Sequence, residues 1–160
     1  METKRIITQE LLDSVTAMAR HSPRCRKNLN FHAAEADASH RLLNAMEPDS
    51  YIPPHCHLAA DKDETIIVLR GKLGVIFFDA AGGVAEKAIL VPGGAAVGVN
   101  IPHGVFHTVV ALEPGSVFFE AKAGPYRPLV PEEKAGWAPP EGAAAAASYL
   151  SSLKGEFQRR

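Results

Sequence analysis

Near the start of the chain, apolar Leu11, Leu12, Val15, Met18 and Ala19 recur at helical spacing among polar neighbours. That period predicts a short amphipathic helix over Gln9–Arg20. Thr8 is placed to cap its N-terminus, and Ser22-Pro23 should stop it. Residues 24–32 are basic and turn-rich, without clear periodicity. From Arg41 the texture changes to short apolar runs with frequent punctuation. Strands are predicted near 41–46, 64–69, 72–78, 84–91, 106–112 and 117–122. Pro, Gly, Asp and Ser clusters separate them, as tight turns require. Runs of Val, Ile and Phe between such turns indicate a mainly β sandwich or barrel rather than alternating βαβ units. After Tyr126 the chain is proline-rich and then enters an alanine run at 143–147. Two readings of this tail stand: a terminal helix, since alanine is the best helix former, or a frayed end.

With 160 residues, one domain with a sizeable core is expected. It divides into an N-terminal helix and basic loop (1–40), a barrel (41–128) and a Pro/Ala-rich extension (129–160). Net charge is -1 with His neutral, so bulk electrostatics suggest neither nucleic acid nor an anionic membrane as partner. The first twenty residues carry Lys4, Arg5, Glu10 and Asp13 and hold no apolar stretch of signal-peptide or membrane-span length. Cys25 and Cys56 make no disulfide framework, and a cytoplasmic location is expected.

The chemistry concentrates in His55, His57, Glu64 and His107. Side chains at i and i+2 of an extended segment share a face, so His55 and His57 present two imidazoles together while Cys56 turns away. Pro102 and Gly104 build a rigid turn just before His107. A carboxylate with three imidazoles is a donor set for one divalent cation. Glu64 is preferred over Asp61 and Asp63 because it opens a strand, whereas they lie in a loop with Lys62. Glu120, on a strand that should line the barrel, needs a partner such as Lys122 or a metal-bound water; a proton-transferring role and a supporting role both stand. Asn30, His32, Arg41, Lys122 and Tyr126 are candidates for a substrate pocket. Arg24, Arg26 and Lys27 would meet an anion if their segment folded over the barrel mouth. Cys25 and Cys56 read as ordinary thiols.

These residues resemble the two motifs of the cupin superfamily. His55-x-His57, Glu64 and Gly71 match the first motif, with six residues between Glu64 and Gly71 as in that family. The gap from His57 to Glu64 is longer than usual, which keeps Asp61 as a rival, and Asp49 stands where the leading glycine would be. Pro102, Gly104 and His107 match the second motif, while Ala96 and Ala111 replace its outer Gly and Asn. The resemblance covers about 41–122 and implies a cupin jelly-roll β-barrel with one divalent ion: Zn, Fe, Mn or Ni. A narrower likeness runs to about Glu141. Ser22-Pro23-Arg24, Asn30-Phe31-His32, Pro53-Pro54-His55, Phe106-His107-Thr108, Lys122-Ala123-Gly124-Pro125-Tyr126 and Trp137-Ala138-Pro139 are similar to the WbuC family of cupin-fold metalloproteins. That family occurs in bacterial surface-polysaccharide gene clusters, among other settings.

Two functional readings follow. One is a metal-dependent enzyme on a small sugar- or carboxylate-like molecule. The other is a non-catalytic cupin whose metal binds a small ligand or ties strands together. An open pocket beside the metal favours the first, a closed four-ligand shell the second. Neither His-x-Glu with Cys-x-x-Cys nor His-Glu-x-x-His occurs, so deaminase- and protease-type zinc motifs are absent. Cupins often pair through edge strands or terminal extensions, so a homodimer stays open, with the N-terminal helix and the tail as candidates to cover edges.

Overall fold

The computed structural model describes residues 5–158; the first four and last two residues of the expected N-terminal region and tail lie outside the described residues. Eleven elements follow one another. Helix α1 spans Gln9–Arg20. Strands β1 (Arg26–Asn30), β2 (Ser39–Met46), β3 (Glu64–Arg70), β4 (Leu73–Phe78), β5 (Val84–Leu90), β6 (Gly98–Ile101), β7 (His107–Ala111) and β8 (Ser116–Ala123) come next. A 3-10 turn, Pro131–Glu133, precedes the last helix, α2 (Ala146–Gly155). The strands form a five-stranded sheet in the order β1-β2-β8-β3-β6 and a three-stranded sheet in the order β5-β4-β7. All of these pairs are antiparallel. The fold is a mainly β jelly roll of the cupin type.

Alternation along the strands builds the interior. Met46, Ile66, Val68 and Phe118 of the larger sheet meet Leu73, Val75, Leu90 and Val109 of the smaller one in the central core. The outer face of the larger sheet is not left to water. Leu43, Ala45 and Val117 lie under Leu12, Val15 and Ala19 of α1, and Thr8 caps that helix by accepting from the Leu11 N–H at 3.2 Å. On the opposite side, Ile76, Phe78 and Val110 lie under Leu150 and Leu153 of α2. Every residue of β7 is buried, because its sheet is covered on both faces.

Two strands escape the sequence periodicity. β1 lies in the segment read as turn-rich. Within Arg26–Asn30 Leu29 is the one apolar residue, and the strand forms because all five residues pair with β2. β6 has four residues and pairs with β3, too short to show alternation. The alanine run itself is largely a turn, and the helix starts only at Ala146. Its anchors, Leu150 and Leu153, lie beyond the run.

Candidate metal centre

One irregular segment and two strand starts deliver the candidate ligands. Pro53-Pro54 leads an irregular segment in which His55 bridges His107 on one side and Lys134 on the other. The His55 N–H donates to the His107 carbonyl at 3.0 Å, and the His107 N–H returns to the His55 carbonyl at 2.9 Å. The two motifs are joined again where the Gly104 N–H donates to the His57 carbonyl at 2.7 Å. Gly104 sits at φ 77°, a conformation in which a β-carbon would be strained. Asp63 holds the same turn, accepting from the His103 backbone N–H at 2.8 Å. Its carboxylate thus anchors the turn, while Glu64, first residue of β3, pairs in register with Ile101 and Lys122.

The four side chains converge. Glu64 Oε1 lies 2.8 Å from His107 Nε2 and 3.4 Å from His57 Nε2. Ring centroids are 4.7 Å apart for His55 and His107 and 5.3 Å apart for His55 and His57. His55 Nδ1 lies 3.0 Å from the Pro53 carbonyl, and His107 Nδ1 lies 2.9 Å from the Val105 carbonyl. A carbonyl only accepts, so each Nδ1 carries the hydrogen and each Nε2 keeps its lone pair for the centre. Donor atoms of His55, His57 and Glu64 all lie within 4.8 Å of one another. Opposite ligands of one ion with bonds of ~2.1 Å stand ~4.2 Å apart. His57 Nε2 is buried and makes no hydrogen bond among the described residues. Such an orphaned nitrogen, facing a carboxylate and two further imidazoles, fits a divalent cation.

The electrostatics suit ligation. Burial, reinforced by neighbouring His107, pushes His55 down to about 4, so it stays neutral near pH 7. Burial opposes ionisation of Glu64, but the close approach of the His107 and His57 rings, with the Lys122 ammonium beside them, outweighs it and holds this carboxyl well below its usual range.

Behind the ligands lies a cavity of about 190 Å³, where Arg26, Asn44, Glu120 and Lys122 join His55, Glu64 and His107. Phe118, Glu120 and Lys122 alternate onto the inner face of β8, which explains why Glu120 points inward. Lys122 Nζ lies 2.6 Å from Glu120 Oε1 and 3.6 Å from Glu64 Oε2. Asn44 donates to Glu120 Oε2 at 2.7 Å. Burial first, then the nearby Glu64 carboxylate, raise the Glu120 pKa against the pull of Lys122.

The other predicted pocket residues scatter. Asn30 is exposed and accepts from Asn28 at 2.7 Å. His32 is buried but stacked on His40, with centroids 4.0 Å apart, away from this cavity. Arg41 is exposed on β2. Tyr126 is exposed and lines an outer cavity instead. Of the three cations offered for an anion, Arg26 reaches the inner cavity, Lys27 is exposed, and Arg24 joins Arg26 on the tail carboxylate Glu141. Cys56 is buried, which raises its thiol pKa. Asn44 is not among the pocket residues expected from the sequence, although its two-residue offset from Met46 puts both on one face of β2, and both line this cavity. Nothing local marks Glu141 as a partner of the arginines.

The fold is a jelly roll like that of cupins, and the His–Glu cluster is a donor set that could hold a metal. Residues 7–90 match the family model described as a domain of unknown function, DUF6016, and the chain belongs to that family. Among solved structures, it is similar to KdgF from Halomonas sp., at 21% identity and TM-score 0.51, over 67% of this chain and 85% of that one. It is also similar to TT1209 from Thermus thermophilus, at 22% identity and TM-score 0.52, over 77% of this chain and 97% of that one. A cupin superfamily protein from Desulfitobacterium hafniense matches at 15% identity and TM-score 0.45, over 61% of this chain and 77% of that one. No curated protein matches. No helix among the described residues is long and apolar enough to cross a membrane.

Proposed function

We propose that the protein is a metal-dependent enzyme acting on a small sugar- or carboxylate-like molecule. His55, His57, Glu64 and His107 hold one divalent ion, and Glu120 moves the proton. The observation that carries this reading is the cavity of about 190 Å³ beside the ligands. A purely structural metal has no use for such a space, or for the charged Glu120 and Lys122 inside it. A bound ion there would act as a Lewis acid toward a substrate oxygen.

The chain's own residues would do the rest. Lys122 and Arg26 orient an oxygen-rich ligand. Asn44 fixes the Glu120 carboxyl through Oε2. The raised pKa of Glu120 brings it nearer the range where one carboxyl both gives and takes a proton near neutral pH. The likeness to the WbuC family supports a role in bacterial surface-polysaccharide metabolism.

Elemental analysis of protein purified without added metal should find near-stoichiometric divalent ion in the wild type and little in His107→Ala. A screen of sugar acids and small carboxylates on the loaded protein should then find turnover. Glu120→Gln should keep the metal and lower kcat roughly 10²–10⁴-fold. A ligand that binds through the metal without being turned over would replace this reading with the non-catalytic one, and a metal-free wild type would end both.

A further inference from the structure

A second cavity, of about 230 Å³, lies on the outer side of His55 and His57 and shares His55 and Lys122 with the inner one. Lys62, Tyr126 and Arg127 line it as well, and no carboxylate does among the described residues. In a chain of net charge -1, a mouth of one sign is a local feature rather than a reflection of composition.

Among the described residues, two of its cations have no acidic partner bonded to them. Lys62 Nζ donates to the Ala123 carbonyl at 2.6 Å and to the Pro125 carbonyl at 2.7 Å. These bonds fix the ammonium in place, leave its charge uncompensated and keep its third N–H for a ligand. Asp61 and Glu133 act on it only through space, and the Glu133 carboxylate is already taken by the backbone N–H groups of Leu58 and Val130. Burial depresses the pKa of Lys62, the mark of an ammonium partly stripped of water. Arg127 is exposed and makes no ion pair among the described residues, whereas Arg20, Arg24, Arg26 and Arg70 each grip a carboxylate. Lys122 differs from both, because Glu120 and Glu64 neutralise it from inside.

We propose that this mouth is an anion subsite for the phosphate group of a small phosphorylated substrate, seated between Lys62 and Arg127 with its other end directed past His55 and His57 to the inner cavity. Two uncompensated cations match a phosphate monoester dianion better than a carboxylate monoanion. A fixed ammonium with an exposed guanidinium fork is a pairing suited to phosphate oxygens. The proposal extends the enzymatic reading by naming the substrate class, but the subsite itself needs no metal.

The test is calorimetric titration with inorganic phosphate at low salt on chelator-treated protein, with acetate at matched ionic strength as the comparison. Phosphate should bind more tightly than acetate and weaken as salt screens the site. Arg127→Met and Lys62→Met should each weaken phosphate roughly tenfold or more, the loss expected for one charge-assisted contact. Wild-type phosphate affinity in both variants, acetate binding as tight as phosphate, or no phosphate binding would each overturn the proposal. Should chelation unfold the protein, the same comparison of wild type with Arg127→Met on as-purified protein decides, since Arg127 is exposed and its replacement spares the core. Metal content measured on the same samples keeps the two readings apart. A metal-free wild type would sink the enzymatic reading without touching the phosphate result, and wild-type metal content with unaltered phosphate binding in the variants would sink only the subsite.

Discussion

At the scale of single residues, one carboxylate organises the centre. Glu64 is 4% exposed, faces two imidazoles through one oxygen, and approaches Lys122 with the other. Glu64→Gln keeps the volume and removes the charge, so metal affinity should fall at least tenfold while Lys122 keeps Glu120 as partner. Competition against a chromophoric chelator, read beside far-ultraviolet dichroism, checks this; unchanged affinity would remove Glu64 from the ligand set. Much of this arrangement was legible in the sequence. The His55-x-His57 spacing, the strand-opening position of Glu64 and the turn before His107 each dictate geometry through local backbone rules. What was not legible depends on partners far along the chain. Asp63 looked like a loop acid and turns out to hold the His103 turn. Asn30 and Arg41 looked like pocket residues because they stand in polar-apolar stretches, but β1 and β2 direct both to the surface.

At the scale of elements, the joints between strands decide whether the ligands stay aligned. Gly71 links β3, which carries Glu64, to β4, which pairs with β7 and so with His107. Its φ is 75°, and a β-carbon there would lie 2.5 Å from Ser116 Oγ and 2.8 Å from Ser116 Cα. Gly71→Ala therefore combines a left-handed backbone with a clash against main chain, and should cost about 2 kcal/mol of stability. Urea unfolding measures it; an unchanged midpoint would show that the β3–β4 joint is free to rearrange. The amphipathic period of α1 and the turn residues around β3, β4 and β8 made those elements readable, because local chemistry and tertiary packing agree there. β1 and β6 were not readable because their pairing partners, not their own side chains, make them strands.

At the scale of the whole molecule, the tail is tied to the N-terminal segment by one acid. Glu141 sits under two guanidinium forks: Arg24 donates from Nε at 2.9 Å and Nη2 at 2.6 Å, and Arg26 lies 2.8 Å away through Nη1. Since Arg26 also lines the inner cavity, the latch ties the tail to the wall of the proposed active site. The hydrogen bonds from Arg24, aided by Arg26 and opposed by burial, pull Glu141 down to about 2 from an ordinary 4.5. A carboxyl whose pKa is depressed on folding contributes stability that is complete above its unfolded value and is lost as pH falls through its folded value. The window here is therefore about pH 4.5 to 2. Because the pair is partly exposed, solvent screening leaves about 1 kcal/mol, or roughly 3 °C of Tm for a chain of this size. Glu141→Gln should melt lower than wild type by that margin at pH 7, and the two curves should converge as pH is lowered through the window, since a protonated Glu141 is then as uncharged as the amide. Differential scanning calorimetry from pH 7 to pH 2 tests it. An offset that stays constant with pH would mean that the side chain acts by packing, and the tail would then be held by Leu150 and Leu153 against the outer face of the small sheet rather than by charge.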